Sequence, residues 1–126
     1  MSSILALVLT ALAGLVAATI IFIGVRFLLW PRTAADGFGV PAVDGAKAYL
    51  SAKGVRDIVS GLVVITLLIA RQRLALGLFL MVAALIPVGD MVIVLRNKGR
   101  AAVAFGVHGA TAVLLVLVGL GIAVGN

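Results

Sequence analysis

The sequence predicts an all-α integral membrane protein, folded as a single bundle of four membrane-spanning helices. Hydrophobic residues make up 64% of the 126-residue chain and charged residues only 11%, a composition far from that of a soluble domain of this size. The apolar residues form four long runs, separated by shorter stretches that carry arginine and lysine. Since a spanning helix needs roughly 20 apolar residues, four spans use up the whole of residues 1–126 as one domain.

The first run, at about 4–30, is the longest. No basic residue precedes it, and it exceeds the apolar core of a signal peptide, so it is interpreted as a span. The connection 31–53 is rich in proline and glycine, which favour turns. We expect this connection to lie at the membrane interface, with Trp30 and Tyr49 at the depth of the lipid headgroups.

The other three spans are predicted at about 54–70, 74–95 and 101–125. Short basic segments at 71–73 and 96–100 connect them. Gly121 and Gly125 have the spacing that lets membrane helices approach closely. This pair predicts a packing face, either inside the bundle or between copies in a homo-oligomer.

The distribution of positive charge predicts the orientation in the membrane. Eight of the 10 lysines and arginines lie in or beside the first and third connections, and only Arg71 and Arg73 lie in the second. The positive-inside rule therefore places the first and third connections in the cytoplasm. The chain is then a multi-pass protein of the cell inner (plasma) membrane, with both termini on the outer side.

Composition also excludes several classes of function. The net charge of +6 comes from lysines and arginines at the ends of the predicted spans. The sequence lacks the alternation of aromatic and basic residues that is typical of nucleic-acid binding. The chain has no cysteine and a single histidine, which excludes disulfides and argues against a zinc site. The sequence predicts no metal and no cofactor, and the lipid bilayer is the expected partner.

Ionisable residues inside the predicted spans indicate a site. In "LIPVGDMVIVL", Asp90 lies roughly 9 Å inside the helix end at Arg96, and His108 lies roughly 12 Å beyond Arg100. Charged groups inside a bilayer are costly, so they pair and face the interior of the bundle. We expect a polar pocket open to the cytoplasm. Its candidate acid–base residues are His108, Asp90 and Asp57, and its candidate binding residues are Arg26, Arg56, Tyr49 and Ser60.

Each of these residues also has a purely structural interpretation. Asp57 at a helix start would interact with the helix dipole, and Arg26 would extend its side chain to the interface. A bridge between Asp90 and His108 would fix the register of two helices. Arg26, Arg56 and His108 are all possible partners of Asp90.

Three short motifs carry a resemblance to a known family. They are "GVRD" at 54–57, "IPVGD" at 86–90 and "VHG" at 107–109. With them the chain resembles a family of small four-helix membrane proteins from bacteria and fungi, known as domain of unknown function 4267. The resemblance extends over nearly the whole chain and implies a membrane bundle, without implying a particular activity.

Three functions remain open. The first is binding or conversion of a lipophilic small molecule by an isomerase, cyclase or hydrolase, with His108 as acid–base group, Asp90 or Asp57 orienting it, and an arginine holding a substrate oxygen. The second is a small transporter or transporter subunit, although the polar residues crowd one half of the membrane rather than its midplane. The third is a structural or interaction subunit with a purely structural ionic cluster. The sequence favours the first.

Overall fold

The computed structural model describes residues 1–125, and these fold into five α-helices without any strand. The prediction of an all-α protein is confirmed. The helices are α1 (Ser3–Leu29), α2 (Pro31–Phe38), α3 (Lys47–Ile69), α4 (Arg73–Arg96) and α5 (Ala101–Val124).

Three of these helices, α1, α4 and α5, are long and apolar enough to cross a membrane. Helix α3 has a similar length of 23 residues, but its N-terminal half contains Lys53, Arg56 and Asp57. Only its C-terminal half has the composition of a span, and for this reason three helices, rather than the expected four, qualify by composition.

The segment 31–53, expected to be an interfacial connection, is largely helical. Pro31 starts α2, where its missing N–H costs nothing, and Gly39 ends the helix with a left-handed φ of 108°. Helix α3 begins at Lys47 rather than at 54, because 47–53 is rich in the helix-forming residues alanine, lysine and leucine. A short non-helical stretch of 39–46 remains between the two helices.

Glycines bring the helices together in two antiparallel pairs. In the first pair, a Cβ atom on Gly54 of α3 would lie 2.6 Å from the carbonyl oxygen of Gly24 in α1, and one on Gly61 would lie 2.8 Å from that of Ala17. In the second pair, Gly77 of α4 contacts the backbone of Gly119 in α5. Small residues allow this approach and supply packing energy where lipid removes the hydrophobic drive.

The two pairs pack on each other through one apolar core. Its buried members are Leu9, Ala13, Ala17, Val64, Leu76, Leu80, Ala84, Leu115, Val118 and Ile122. Gly121 packs against Leu9 and Gly125 against Met1, so these two glycines form a packing face inside the bundle. The same contact brings the start of α1 next to the end of α5.

Both helices of the second pair depart from regular α-helical geometry at neighbouring positions along the bundle. Helix α4 is interrupted at Ala84, because Pro87 has no N–H to donate to the carbonyl group one turn before it. Helix α5 widens into a π-helical segment over Ala104–Gly109, a distortion that often occurs at functional sites. Asp90 and His108 lie on these two distorted segments.

The close contact between α1 and α3 predicts a large difference between two glycine-to-alanine variants. Gly54→Ala puts a methyl group against the backbone of Gly24, and overpacking of this kind costs about 1–3 kcal/mol of unfolding free energy. Gly14→Ala is the control, because nothing lies within 4 Å of its Cβ position, and it should gain up to about 1 kcal/mol from helix propensity. Thermal unfolding in detergent measures both. Equal melting temperatures for the two variants would contradict this packing.

Candidate functional site

His108 holds the C-terminal end of α2 against the bundle. Its side chain is buried, with Nε2 2.8 Å from the carbonyl oxygen of Phe38. That carbonyl group is among the last four of α2, which have no partner in their own helix. Because a carbonyl oxygen only accepts, Nε2 is the nitrogen that donates its hydrogen here. The second ring nitrogen, Nδ1, does not take part in this bond and can accept a hydrogen bond or a proton.

The "GFG" segment at 37–39 positions the carbonyl group of Phe38. The N–H of Gly39 donates to the carbonyl oxygens of Ala35 and Asp36, which turns the chain at the end of α2. The backbone of Gly39 also lies against Gly99 in the connection between α4 and α5. The ring of Phe38 packs on the His108 imidazole, with centroids 4.7 Å apart.

Asp90 lies next to the free ring nitrogen of His108. The distance from Nδ1 to the Asp90 carboxylate oxygen Oδ2 is 4.0 Å, and both side chains are largely buried. This distance is longer than a direct hydrogen bond, so the two groups face each other across a narrow gap. Arg56 is exposed, and Arg26 makes no ion pair with any carboxylate in the described part of the chain. Of the three predicted partners of Asp90, His108 is therefore the one within 4.0 Å.

Asp57 is buried, with 6% of its surface exposed, and pairs with Lys53 one helical turn earlier. Its carboxylate oxygen Oδ2 accepts a hydrogen bond of 2.9 Å from the Lys53 ammonium group. The same ammonium lies 4.9 Å from the ring centroid of Phe27 and 5.3 Å from that of Phe38, within the range of cation–π attraction. The interpretation of Asp57 as a partner of the helix dipole is wrong, because α3 begins at Lys47 and no acidic residue lies in its first turn.

A cavity of about 390 Å³ connects these groups and is partly open to the outside. Its ionisable lining residues lie at one end together with Ser60, and they are Arg26, Lys53, Asp57, Asp90 and His108. The other polar residues of the lining are Thr19 and Thr111. From the ionisable end the cavity continues between the helix pairs along apolar side chains such as Leu12, Val16, Phe79, Leu80 and Leu115. The lining of the cavity is therefore polar at one end and mostly apolar along the rest, a pattern that matches an amphiphilic molecule.

Five of the seven predicted site residues line this cavity, and two do not. Those that line it are Arg26, Asp57, Ser60, Asp90 and His108. Arg56 and Tyr49 are exposed, Tyr49 by 81%, because the glycine-containing face of α3 turns toward α1 and carries Asp57 with it. Ser60 donates its hydroxyl hydrogen to the carbonyl oxygen of Arg56, leaving the hydroxyl oxygen as an acceptor toward the cavity.

Two members of the site, Lys53 and Phe38, were not predicted from the sequence. The spacing of Lys53 and Asp57 on one helix face was the available signal for the first. Nothing local indicated Phe38, since its carbonyl group reaches His108 across 70 positions of the chain. The described residues contain no group of three or more side chains suited to hold a metal ion.

The fold and the cluster together define a class, that of small α-helical proteins whose helices suit a membrane and enclose paired ionisable groups. The chain belongs to the family described as domain of unknown function (DUF4267), whose profile matches residues 17–122. The resemblance drawn from "GVRD", "IPVGD" and "VHG" is thereby confirmed. No curated protein and no solved structure matches the chain.

Two substitutions of His108 distinguish the structural role of Nε2, which bonds to Phe38, from the role of the second ring nitrogen, Nδ1. In His108→Gln the amide nitrogen can replace Nε2 and still donate to the Phe38 carbonyl oxygen. In His108→Asn the shorter side chain leaves that partly buried carbonyl group without a donor, at a cost of about 1–3 kcal/mol. We expect the glutamine variant to unfold near the parent temperature in detergent and the asparagine variant well below it. If both lost the same stability, the bond to Phe38 would not be the contact that matters.

Proposed function

We propose that the chain is a four-span protein of the inner membrane that binds a lipophilic small molecule in the cavity and acts on its polar end by acid–base chemistry. The observation that carries this proposal is the shape and lining of the cavity. Every ionisable group in its lining lies at one end, and the remainder is apolar apart from Ser60, Thr19 and Thr111. Such a lining suits a ligand with one polar group on a hydrocarbon body.

The packing of α3 supports the assignment of this helix as the fourth membrane span. Helix α3 runs beside α1 from the contact of Gly54 with Gly24 to that of Gly61 with Ala17. Its Lys53 and Asp57 satisfy each other inside the bundle, which lowers the cost of taking charge into a membrane. A helix paired in this way crosses the bilayer next to α1, although its composition alone would not predict it.

The orientation rests on two further observations. The contact of Met1 with Gly125 supports termini on the same side of the membrane. The polar end of the cavity lies at the opposite end, beside the connections that hold most of the lysines and arginines. By the positive-inside rule this end faces the cytoplasm, so the ligand enters or leaves on the cytoplasmic side.

The charges of the site favour a neutral polar group on the ligand. Two positive groups, Lys53 and Arg26, balance two carboxylates, Asp57 and Asp90, in the lining. A free carboxylate or amine on the ligand would disturb that balance, whereas a hydroxyl or carbonyl oxygen would not. Nδ1 of His108 and Oδ2 of Asp90 are 4.0 Å apart and both accept hydrogen bonds, so a ligand hydroxyl group between them donates its one hydrogen to Nδ1.

The chemistry proposed for this arrangement is proton transfer. Nδ1 of His108 accepts a proton from a bound hydroxyl group, or from the carbon next to a carbonyl group, while Nε2 stays bonded to Phe38. Asp90 stabilises the imidazolium cation that forms, and the Lys53 ammonium stabilises negative charge that develops on the ligand oxygen. Groups held at fixed positions in this way divide the roles of acid and base.

Two other functions have less support. A transporter site is expected near the midplane of the membrane, whereas the polar groups here lie at one end of the cavity. A purely structural cluster is favoured by one observation, the bond from His108 to the carbonyl group of Phe38. That bond engages Nε2 alone and leaves Nδ1 and the Asp90 carboxylate 4.0 Å apart without a direct hydrogen bond.

Filling the cavity should abolish binding without disturbing the cluster. Ala83 lines the cavity, and Ala83→Phe places a ring in its apolar part. Cetyl alcohol, a long-chain methyl ketone and palmitate, added to protein in detergent, test the chemistry of the head group by shift of melting temperature. The alcohol and the ketone should stabilise the parent more than palmitate does, and stabilise Ala83→Phe hardly at all.

Ala11→Phe is the matched control for this variant, because Ala11 is exposed on α1. It should respond to the alcohol and the ketone as the parent does. Equal stabilisation of Ala83→Phe and Ala11→Phe would show that the probes act through the detergent and would refute the cavity as their binding site.

Replacing Asp90 distinguishes a binding site from a structural bridge. If Asp90 is kept for function, Asp90→Asn should unfold at or above the parent temperature, since functional groups are often retained at a cost in stability, and its response to cetyl alcohol should fall. If the variant instead loses about 1–3 kcal/mol of stability and still responds to the alcohol, the structural explanation is correct. Both quantities come from the same thermal unfolding measurement.

A further inference from the structure

A second cavity lies at the other end of the bundle, near the chain termini, and it differs chemically from the first. Its volume is about 320 Å³, and the lining comes from all four long helices and the turn before α4. Leu67, Leu68, Leu76 and Ile122 make most of it apolar, and Arg71 and Arg73 are its charged members. We propose that this cavity binds the phosphate group of an anionic phospholipid, with part of an acyl chain along the leucines.

Arg73 supplies the strongest indication of a ligand. Its Nη2 atom is buried and has no hydrogen-bond partner among residues 1–125. A buried guanidinium nitrogen without an acceptor is costly, so an acceptor from outside residues 1–125 is the physical expectation. Arginine binds phosphate through two parallel hydrogen bonds, and phosphate supplies the oxygens that this geometry needs.

No acidic side chain of the protein can neutralise this end of the bundle. The chain has four acidic residues. Asp57 and Asp90 belong to the first cavity, Asp44 pairs with Arg32, and Asp36 lies on α2, which packs beside the first cavity. The two arginines therefore present positive charge to the cavity with no carboxylate side chain opposite.

The turn between α3 and α4 holds these arginines in place. Arg71 has a left-handed φ of 54°, a conformation that costs energy for a residue with a side chain and persists at functional positions. Gln72 precedes α4 without a side-chain hydrogen bond to its first turn, and that turn contains no acidic residue. The N–H groups and the dipole of this helix end thus add to the attraction for an anion.

The apolar lining selects an amphiphile over a free anion. Inorganic phosphate would lie on leucine and isoleucine side chains and would gain nothing from them, whereas a lipid buries its chain there. The boundary of the membrane, where this turn lies in the proposed orientation, is also the depth of lipid phosphates. The site depends on Arg71 and Arg73 and is separate from the chemistry proposed for His108.

The test measures lipid binding to the purified chain in a neutral detergent, by native mass spectrometry and by shift of melting temperature. Phosphatidylglycerol is compared with phosphatidylcholine of the same acyl chains and with inorganic phosphate. Phosphatidylglycerol should bind best, and Arg73→Gln should weaken it by about ten- to a hundredfold, the loss expected for hydrogen bonds to a charged group. Without lipid this variant should be as stable as the parent or more so, because it removes an unpaired buried nitrogen.

Two further variants keep the proposal open to refutation if Arg73→Gln does not fold. Arg71→Gln changes an exposed side chain and should weaken phosphatidylglycerol binding in the same direction. Arg100→Gln removes an exposed charge at the opposite end and should leave binding unchanged. Equal weakening by Arg71→Gln and Arg100→Gln, unchanged binding in Arg73→Gln, or equal binding of the two lipids would overturn the proposal. Stabilisation by inorganic phosphate that matches that by phosphatidylglycerol would overturn the assignment to a lipid.

Discussion

The structure depends on one constraint: an ionisable or polar group placed between apolar helices needs a partner inside the protein or in a bound molecule. Water supplies such partners to a soluble domain, but lipid does not. In this chain Asp57 finds Lys53 one turn away, and His108 finds a carbonyl group at the end of a distant helix. The short helix α2, the turn at Gly39 and the contact with Gly99 all serve to bring that carbonyl group into position.

The same constraint explains why the regular helices are distorted where they are. A straight α4 and a straight α5 would continue the apolar core without interruption. The break before Pro87 and the π-helical segment around His108 instead turn Asp90 and His108 toward each other and open the head of the cavity. The remaining ring nitrogen and the carboxylate then face the cavity. A bundle built for stability alone would place apolar side chains there.

The two ends of the bundle differ in how they balance charge. At the end with His108, two cations and two carboxylates line the cavity, which suits a neutral ligand group. At the end with Arg73, two cations have no acidic side chain opposite, which suits an anion. Each cavity continues into apolar lining, so both ligands would be molecules of the membrane. The two cavities thus differ in the charge of the ligand group that each would accept.

Much of the site followed from periodicity and charge. The cost of charge in an apolar run identified Asp90, His108 and Asp57 as interior residues, and the small residues around them indicated the interior faces of their helices. Arg56 and Tyr49 lie outside the cavity, because the sequence gives no exact rotation of α3 and one position along a helix turns a side chain by about 100°. Lys53 was treated as a charge flanking the span because the span was predicted to begin at 54, whereas α3 begins at Lys47.

By itself the sequence determined the helical class, the family and the presence of buried ionisable groups, since these follow from apolar run lengths, motifs and the cost of burying charge. The tertiary structure alone decided which groups meet. The bond from His108 to Phe38 joins residues 70 positions apart. Its geometry involves the left-handed Gly39, the contact of Gly39 with Gly99 and the π-helical segment Ala104–Gly109. No local pattern encodes such a pairing, because helices of this composition can rotate and slide against each other at little cost until close packing fixes their register.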